Sequence, residues 1–118
     1  MKIEDIEWHD QILTRVEIDR ANPGENDSIL LDFKTPYDTV TLLLKDVYHA
    51  ELHLNFGVVT EETIRYLNIS YIGDDVVAVK EKWSKIGVNL NELCKVEINT
   101  NSTNSLLRIY CLSYSITK

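Results

Sequence analysis

The feature that most constrains this chain is a mirror pattern near its C-terminal end. If a turn is centred between Ser102 and Thr103, opposed residues carry numbers that sum to 205. Ile98 then meets Leu107, Val96 meets Ile109 and Cys94 meets Cys111 on one apolar face, while Glu97 meets Arg108 on the other. Side chains alternate along a strand with a period of two, so a one-residue slip would set apolar groups against polar ones. The pattern therefore selects one antiparallel register. Its turn falls in the polar loop Thr100-Asn101-Ser102-Thr103-Asn104-Ser105. The strand from Leu106 to Ile116 is apolar on both faces for much of its length, which predicts a central place in a sheet.

Further strands follow from the same periodicity. Ile12, Thr14, Val16 and Ile18 alternate with Leu13, Arg15, Glu17 and Asp19, which predicts a strand with its core face on the first set. Asn22-Pro23-Gly24 then breaks the chain with turn chemistry. Ile29, Leu31 and Phe33 mark the inner face of a second strand, closed by Pro36-Tyr37-Asp38. Val40 to Leu44 is a continuous apolar run, as expected of a strand buried on both faces. From Tyr48 to Phe56, Ala50, Leu52, Leu54 and Phe56 point one way and His49, Glu51, His53 and Asn55 the other. Thr60-Glu61-Glu62 could start a helix, but Leu67, Ile69 and Tyr71 fit a strand better.

One helix is predicted, from about Asp75 to Ile86. Asp74 or Asp75 can cap its start, Val76, Val79, Trp83 and Ile86 recur at helical spacing, and Gly87 stands where a C-cap needs it. Val77 is expected to face partly inward, with Lys80, Glu81, Lys82 and Lys85 on the wet face. The fold expected is α+β: a mainly antiparallel sheet or small sandwich of about six to eight strands covered by this helix, in a single domain over residues 1–118.

Charge narrows the function classes. Twelve basic residues stand against 19 acidic ones, a net charge of −7, and the basic residues are scattered. Nucleic-acid binding needs a concentrated basic face, so it is not expected. An acidic surface suits solubility, and it would also steer a basic partner. Met1-Lys2-Ile3-Glu4-Asp5 leads into no stretch of signal-peptide type, and no run reaches the roughly 20 apolar residues of a membrane span. A cytoplasmic location is therefore expected, with Cys94 and Cys111 as thiols and the sequons at Asn26, Asn68 and Asn101 without meaning for glycosylation.

No constellation reaches a catalytic signature. In His49-Ala50-Glu51-Leu52-His53 the glutamate is misplaced for the zinc-protease pattern. On a strand the two histidines stand about 13 Å apart, at roughly 3.3 Å per residue, too far for one ion. A site of His49 and Glu51 with ligands from elsewhere remains open. Trp8-His9-Asp10 holds raw material for acid–base work, but adjacent side chains of an extended chain point to opposite faces. Packing of Trp8 at the lead-in to the first strand is the expected role. Cys94 and Cys111 read as core packing. Gly24, Gly57, Gly73 and Gly87 never cluster into a phosphate loop, and no serine sits in a nucleophile elbow. No enzyme activity, cofactor or metal is expected.

A binding role has better material. Tyr37, Tyr48 and Tyr66 are amphipathic aromatics of the kind enriched at interfaces, and Asp32, Asp38 and Asp46 lie near in sequence. Together these six define an expected partner-binding patch, acidic and aromatic.

Several short motifs also carry a resemblance. They are Trp8-His9-Asp10 before an alternating strand, Asp19-Arg20-Ala21-Asn22-Pro23-Gly24, Asp46-Val47-Tyr48, Asn55-Phe56-Gly57-Val58, and Thr100-Asn101-Ser102-Thr103 with Ile109. This layout resembles a group of small, largely uncharacterised bacterial proteins that is similar to the immunity proteins of bacterial toxin systems. The resemblance implies a β-rich fold and a toxin-neutralising role toward a protein partner, and it carries over no catalytic residue. The expected function is thus a non-enzymatic binding protein, an immunity-type inhibitor that occludes a basic toxin domain. Two alternatives stay open: a small-ligand or metal-dependent protein centred on His9, Asp10, His49 and Glu51, and an assembly subunit that pairs through a strand edge.

Overall fold

The C-terminal hairpin forms in the register that its alternation demands. In a computed structural model describing residues 1–118, Cys94–Thr100 (β5) pairs with Leu106–Thr117 (β6). Cys94 stands opposite Cys111, Val96 opposite Ile109, Glu97 opposite Arg108 and Ile98 opposite Leu107. Four more strands extend the sheet: Ile12–Asp19 (β1), Ser28–Lys34 (β2), Thr39–His53 (β3) and Ile64–Ser70 (β4). All neighbours are antiparallel, in the order β1-β2-β3-β6-β5-β4, so β6 is interior as its two-sided apolar pattern implies.

There is one sheet, not two stacked ones, and it curls until its outer strands meet. Ile12 bridges Thr63, just ahead of β4. Asp10 N–H donates to Ile64 C=O at 2.9 Å, Ile64 N–H to Gln11 C=O at 2.8 Å and Leu13 N–H to Glu62 C=O at 2.8 Å. The seam closes at this end only, which gives a partly closed barrel in place of a sandwich. A sheet that rolls up buries one face against itself and removes part of its aggregation-prone edge. Sixteen buried residues line that interior, Ile29, Leu31 and Phe33 among them as their alternation predicts. The N-terminal segment seals it. Trp8 packs edge-to-face on Phe33 at 4.8 Å and donates its indole N–H to Ile3 C=O at 2.8 Å. Ile3 N–H in turn donates to the Tyr114 hydroxyl at 3.1 Å.

A bulge overturns one of the simple alternations, and burial corrects another. In β1 the register shifts between Leu13 and Arg15, so Leu13 and Val16, not Ile12 and Thr14, pack on the core, and Ile18 is half exposed. One extra residue reverses which parity faces inward. The Val40–Leu44 run is not buried on both faces: Val40, Leu42 and Leu44 are buried, while Thr41 and Leu43 on the outer face are half-buried. It opens β3, which ends at His53, so Leu54 and Phe56 lie beyond the sheet and are exposed. In β4, Leu67 is buried and Ile69 packs against the core, whereas Tyr71 is outside the strand and exposed.

The helix, Asp74–Ser84 (α1), lies on the outer face of the sheet. Val76, Val79 and Trp83 pack there with Tyr110, Leu90 and Leu93 in a second small core. Neither Asp74 nor Asp75 caps its start: Gly73 occupies that position, without any side-chain cap. Val77 and Ile86 are exposed, contrary to the helical-spacing expectation. Gly87, at φ 86°, does end the helix. Its N–H donates to Ser84 C=O and Val88 N–H to Trp83 C=O, both at 3.0 Å, the paired bonds of a Schellman close. That close turns Val88 back onto Trp83 in the second core.

Candidate functional site

Two features of the outer surface could act on a partner or ligand: a cleft beside β3 and a polar network under α1.

The cleft arises because β3 outlasts its neighbour. β2 accompanies it only from Thr39 to Lys45. Asp46 then takes a left-handed conformation, φ 53°, and the pairing with β6 shifts between Val47 and His49. A bulge bends a strand and increases its twist, and beyond this one β3 pairs with β6 alone. Val47 N–H still donates to Asp27 C=O at 3.0 Å, but from Tyr48 to His53 no strand borders the β2 side. The β1–β2 loop flanks the opening on one side. It is braced by Gly24 N–H donating to Asp27 Oδ2 at 2.9 Å and by Glu25 and Asn26 N–H donating to Asn22 C=O, both at 3.0 Å. The C-terminal end of α1 flanks the other side through Trp83 and Val88. Trp83 meets Tyr48 edge-to-face at 5.0 Å. The resulting cleft has a volume of about 680 Å³. Its apolar surface comes from Ile18, Ile29, Val47, Ala50 and Leu52, while Asp19, Glu25, Asp27 and Asp46 set four carboxylates around it against one guanidinium, Arg20.

The polar network crosses four strands. Asp75 Oδ2 accepts from Lys95 Nζ at 2.7 Å and from the Tyr110 hydroxyl at 2.8 Å. Glu97 accepts from Arg108 Nε at Oε1 and from the Tyr66 hydroxyl at Oε2, both at 2.8 Å. Glu51 links Arg108, at 3.9 Å, to His49 Nε2, at 3.3 Å. The Lys95 ammonium beside Asp75 holds its carboxyl down at about 2, with Tyr110 adding to the effect. Burial and then the Asp75 hydrogen bond push the Tyr110 phenol well above its ordinary range. Each carboxylate here has a cationic or hydroxyl partner, so the network orients the helix on the sheet and leaves little unspent charge for a ligand.

The six residues expected to form one patch are dispersed. Tyr37 and Asp38 sit in the β2–β3 turn, where Asp38 accepts from Thr35 Oγ1 at 2.7 Å. Asp32 lies mid-strand on β2 and accepts from Thr41 Oγ1 at 2.6 Å. Tyr66 is on β4, at the far end of the strand order, tied to Glu97. Of the six, only Asp46 and Tyr48 belong to the cleft. The cleft's other carboxylates flank Asn22-Pro23-Gly24, which as a sequence reads only as a turn. The acidic run around that turn, Asp19, Glu25 and Asp27, was the available signal.

His9 and Asp10 do meet, contrary to the extended-chain argument. Asp10 has φ 67°, which swings its carboxylate to 3.1 Å from His9 Nδ1, with both side chains mostly exposed. That pair lies at the β1–β4 seam, whereas His49 and Glu51 lie on β3, with β6 and β5 between β3 and β4. The two halves of the expected ligand site are thus separate, and no three His, Cys, Asp or Glu side chains converge in a metal-holding group. Cys94 and Cys111 are buried thiols with sulfurs 3.8 Å apart. The hydrogen bond from Cys94, with burial, pushes the Cys111 thiol far above the ordinary thiol range.

A scan against protein-family models finds no match to this chain, and a search of curated proteins finds none either. No helix is long and apolar enough to cross a membrane.

Proposed function

We propose that this chain is a non-enzymatic binding protein of the immunity type, which occludes a basic surface of a toxin through the cleft beside β3. The observation that carries the reading is the makeup of that cleft: four carboxylates against one guanidinium around an apolar surface with an aromatic wall. Aromatic and aliphatic groups supply burial there, and a surrounding excess of one charge steers and orients an oppositely charged partner. The net charge of −7 adds long-range attraction of the same sign. The proposed location is the cytoplasm, where the toxin would act.

The test is growth of a sensitive bacterial host expressing the product of the adjacent gene, with and without this chain. Rescue that is lost in a Glu25→Gln, Asp46→Asn double variant is the expected result. Toxicity without rescue, or no toxicity, sinks the immunity reading.

A further inference from the structure

The cleft has one property that its charge and apolar surface leave unused. Its wall is a strand edge. From Tyr48 to His53, β3 is paired with β6 on one side and with nothing on the other. Every second backbone N–H and C=O in such a strand points outward and lacks a sheet partner. Most exposed edges are short or capped by charge. This one is six residues long, or about 20 Å at roughly 3.3 Å per residue, enough for a typical strand to lie alongside. β2 ends where the edge begins, since its last pair with β3 is Ser28 with Lys45. An added strand would therefore continue the place of β2 in the sheet.

We infer that this edge accepts an extended, basic segment of a partner protein as an additional β-strand, inserted between the β1–β2 loop and the end of α1. The inference rests on the binding role proposed above and specifies its mode. Main-chain hydrogen bonds supply affinity in this kind of recognition, and alternate side chains of the guest supply specificity. The two sets of guest side chains meet different surroundings. One set faces the apolar surface at Ala50 and Leu52, and the other faces Tyr48, Trp83 and Glu51. Asp19, Glu25, Asp27 and Asp46 near one end of the edge favour lysine or arginine there. A second copy of this chain fits poorly, because antiparallel self-pairing would bring two such acidic clefts together.

The probe is a synthetic ten-residue peptide of alternating lysine and valine, titrated into the full-length protein and followed by amide hydrogen exchange and backbone NMR. The expected result is binding with slowed exchange at alternate amides between Tyr48 and His53. Methylation of the peptide nitrogens along one edge should weaken binding at least tenfold, because the ladder bonds are lost. Glu25→Gln with Asp46→Asn should weaken it about tenfold at low salt. Binding at the cleft that is indifferent to N-methylation and protects no β3 amide overturns strand addition while leaving the acidic-cleft reading intact. Failure of the peptide to shift any cleft resonance overturns both. Concentration-dependent protection of the same amides without peptide would assign the edge to a second copy and overturn the partner assignment.

Discussion

Tyr110 donates its hydroxyl hydrogen to Asp75 across 2.8 Å, which ties the middle of the central strand β6 to the first turn of α1. The same Asp75 oxygen also accepts from Lys95 on β5. One carboxylate thus joins the helix to two strands, and it explains why a residue suited to capping does not cap. Its charge is taken up by the sheet.

Stability should fall in acid through this carboxylate. Asp75 moves from an ordinary 3.8 to about 2 on folding, so the folded state favours its ionised form. That contribution is complete above the unfolded value and is lost as pH falls from about 4 to about 2. Asp75 keeps 39% of its side-chain surface exposed, so screening reduces the contribution to about 1 kcal/mol. Asp75→Asn should cost about that much at pH 7 and flatten the acid limb, as read by thermal unfolding across pH 2 to 7.

Tyr110→Phe should be destabilising by about 1–2 kcal/mol at neutral pH, since it removes a hydrogen bond to a charged acceptor at a buried site. Denaturant midpoints of wild type, Tyr110→Phe, Asp75→Ala and the double variant would show non-additivity, because both changes remove the same bond. Strict additivity would mean that the bond contributes nothing.

The barrel interior should be sensitive to truncation and the exposed loops indifferent to it. Ile109 is fully buried in the interior, so Ile109→Ala should cost roughly 2–5 kcal/mol. Val59 is fully exposed, and Val59→Ala should stay within about 0.5 kcal/mol of wild type. Chemical denaturation measures both.

Two glycines bracket α1 with different demands. Gly87 has φ 86° with open space where a Cβ would stand, so Gly87→Ala should cost about 1 kcal/mol from backbone strain alone. Gly73 has φ 133°, and its Cβ would sit 2.8 Å from Asp75 Oδ1. Gly73→Ala should therefore cost more, roughly 1–3 kcal/mol, and disturb the Asp75 contacts as well. Unfolding curves that reverse this order would contradict the geometry.

The loop of the C-terminal hairpin is held from outside. Glu62 accepts from the Ser102 and Thr103 N–H groups at 3.1 and 3.3 Å and from the Thr103 hydroxyl. Glu62→Ala should raise amide exchange at Ser102 and Thr103 about tenfold, with little change in the cleft. Unchanged exchange there would show that the loop orders itself.

Local periodicity made much of the fold legible. The β5–β6 register, the inner face of β2, the central position of β6 and the helix closed by Gly87 all depend on neighbours a few residues apart, where periods of 2 and 3.6 operate. Sequence also exposed the acidic excess and two residues of the cleft, Asp46 and Tyr48. It could not place the bulges, because an extra residue is accommodated only against a particular partner strand. Thus Ile18 and Leu13 exchanged their expected faces. Nor could it reveal the left-handed turn at Asp10 that brings His9 to its carboxylate. Curling of the sheet, separation of Tyr37, Tyr48 and Tyr66, and the open edge of β3 were decided by tertiary structure alone. Each depends on which strands lie side by side and where one ends before its neighbour, and that long-range pairing leaves no local period to read.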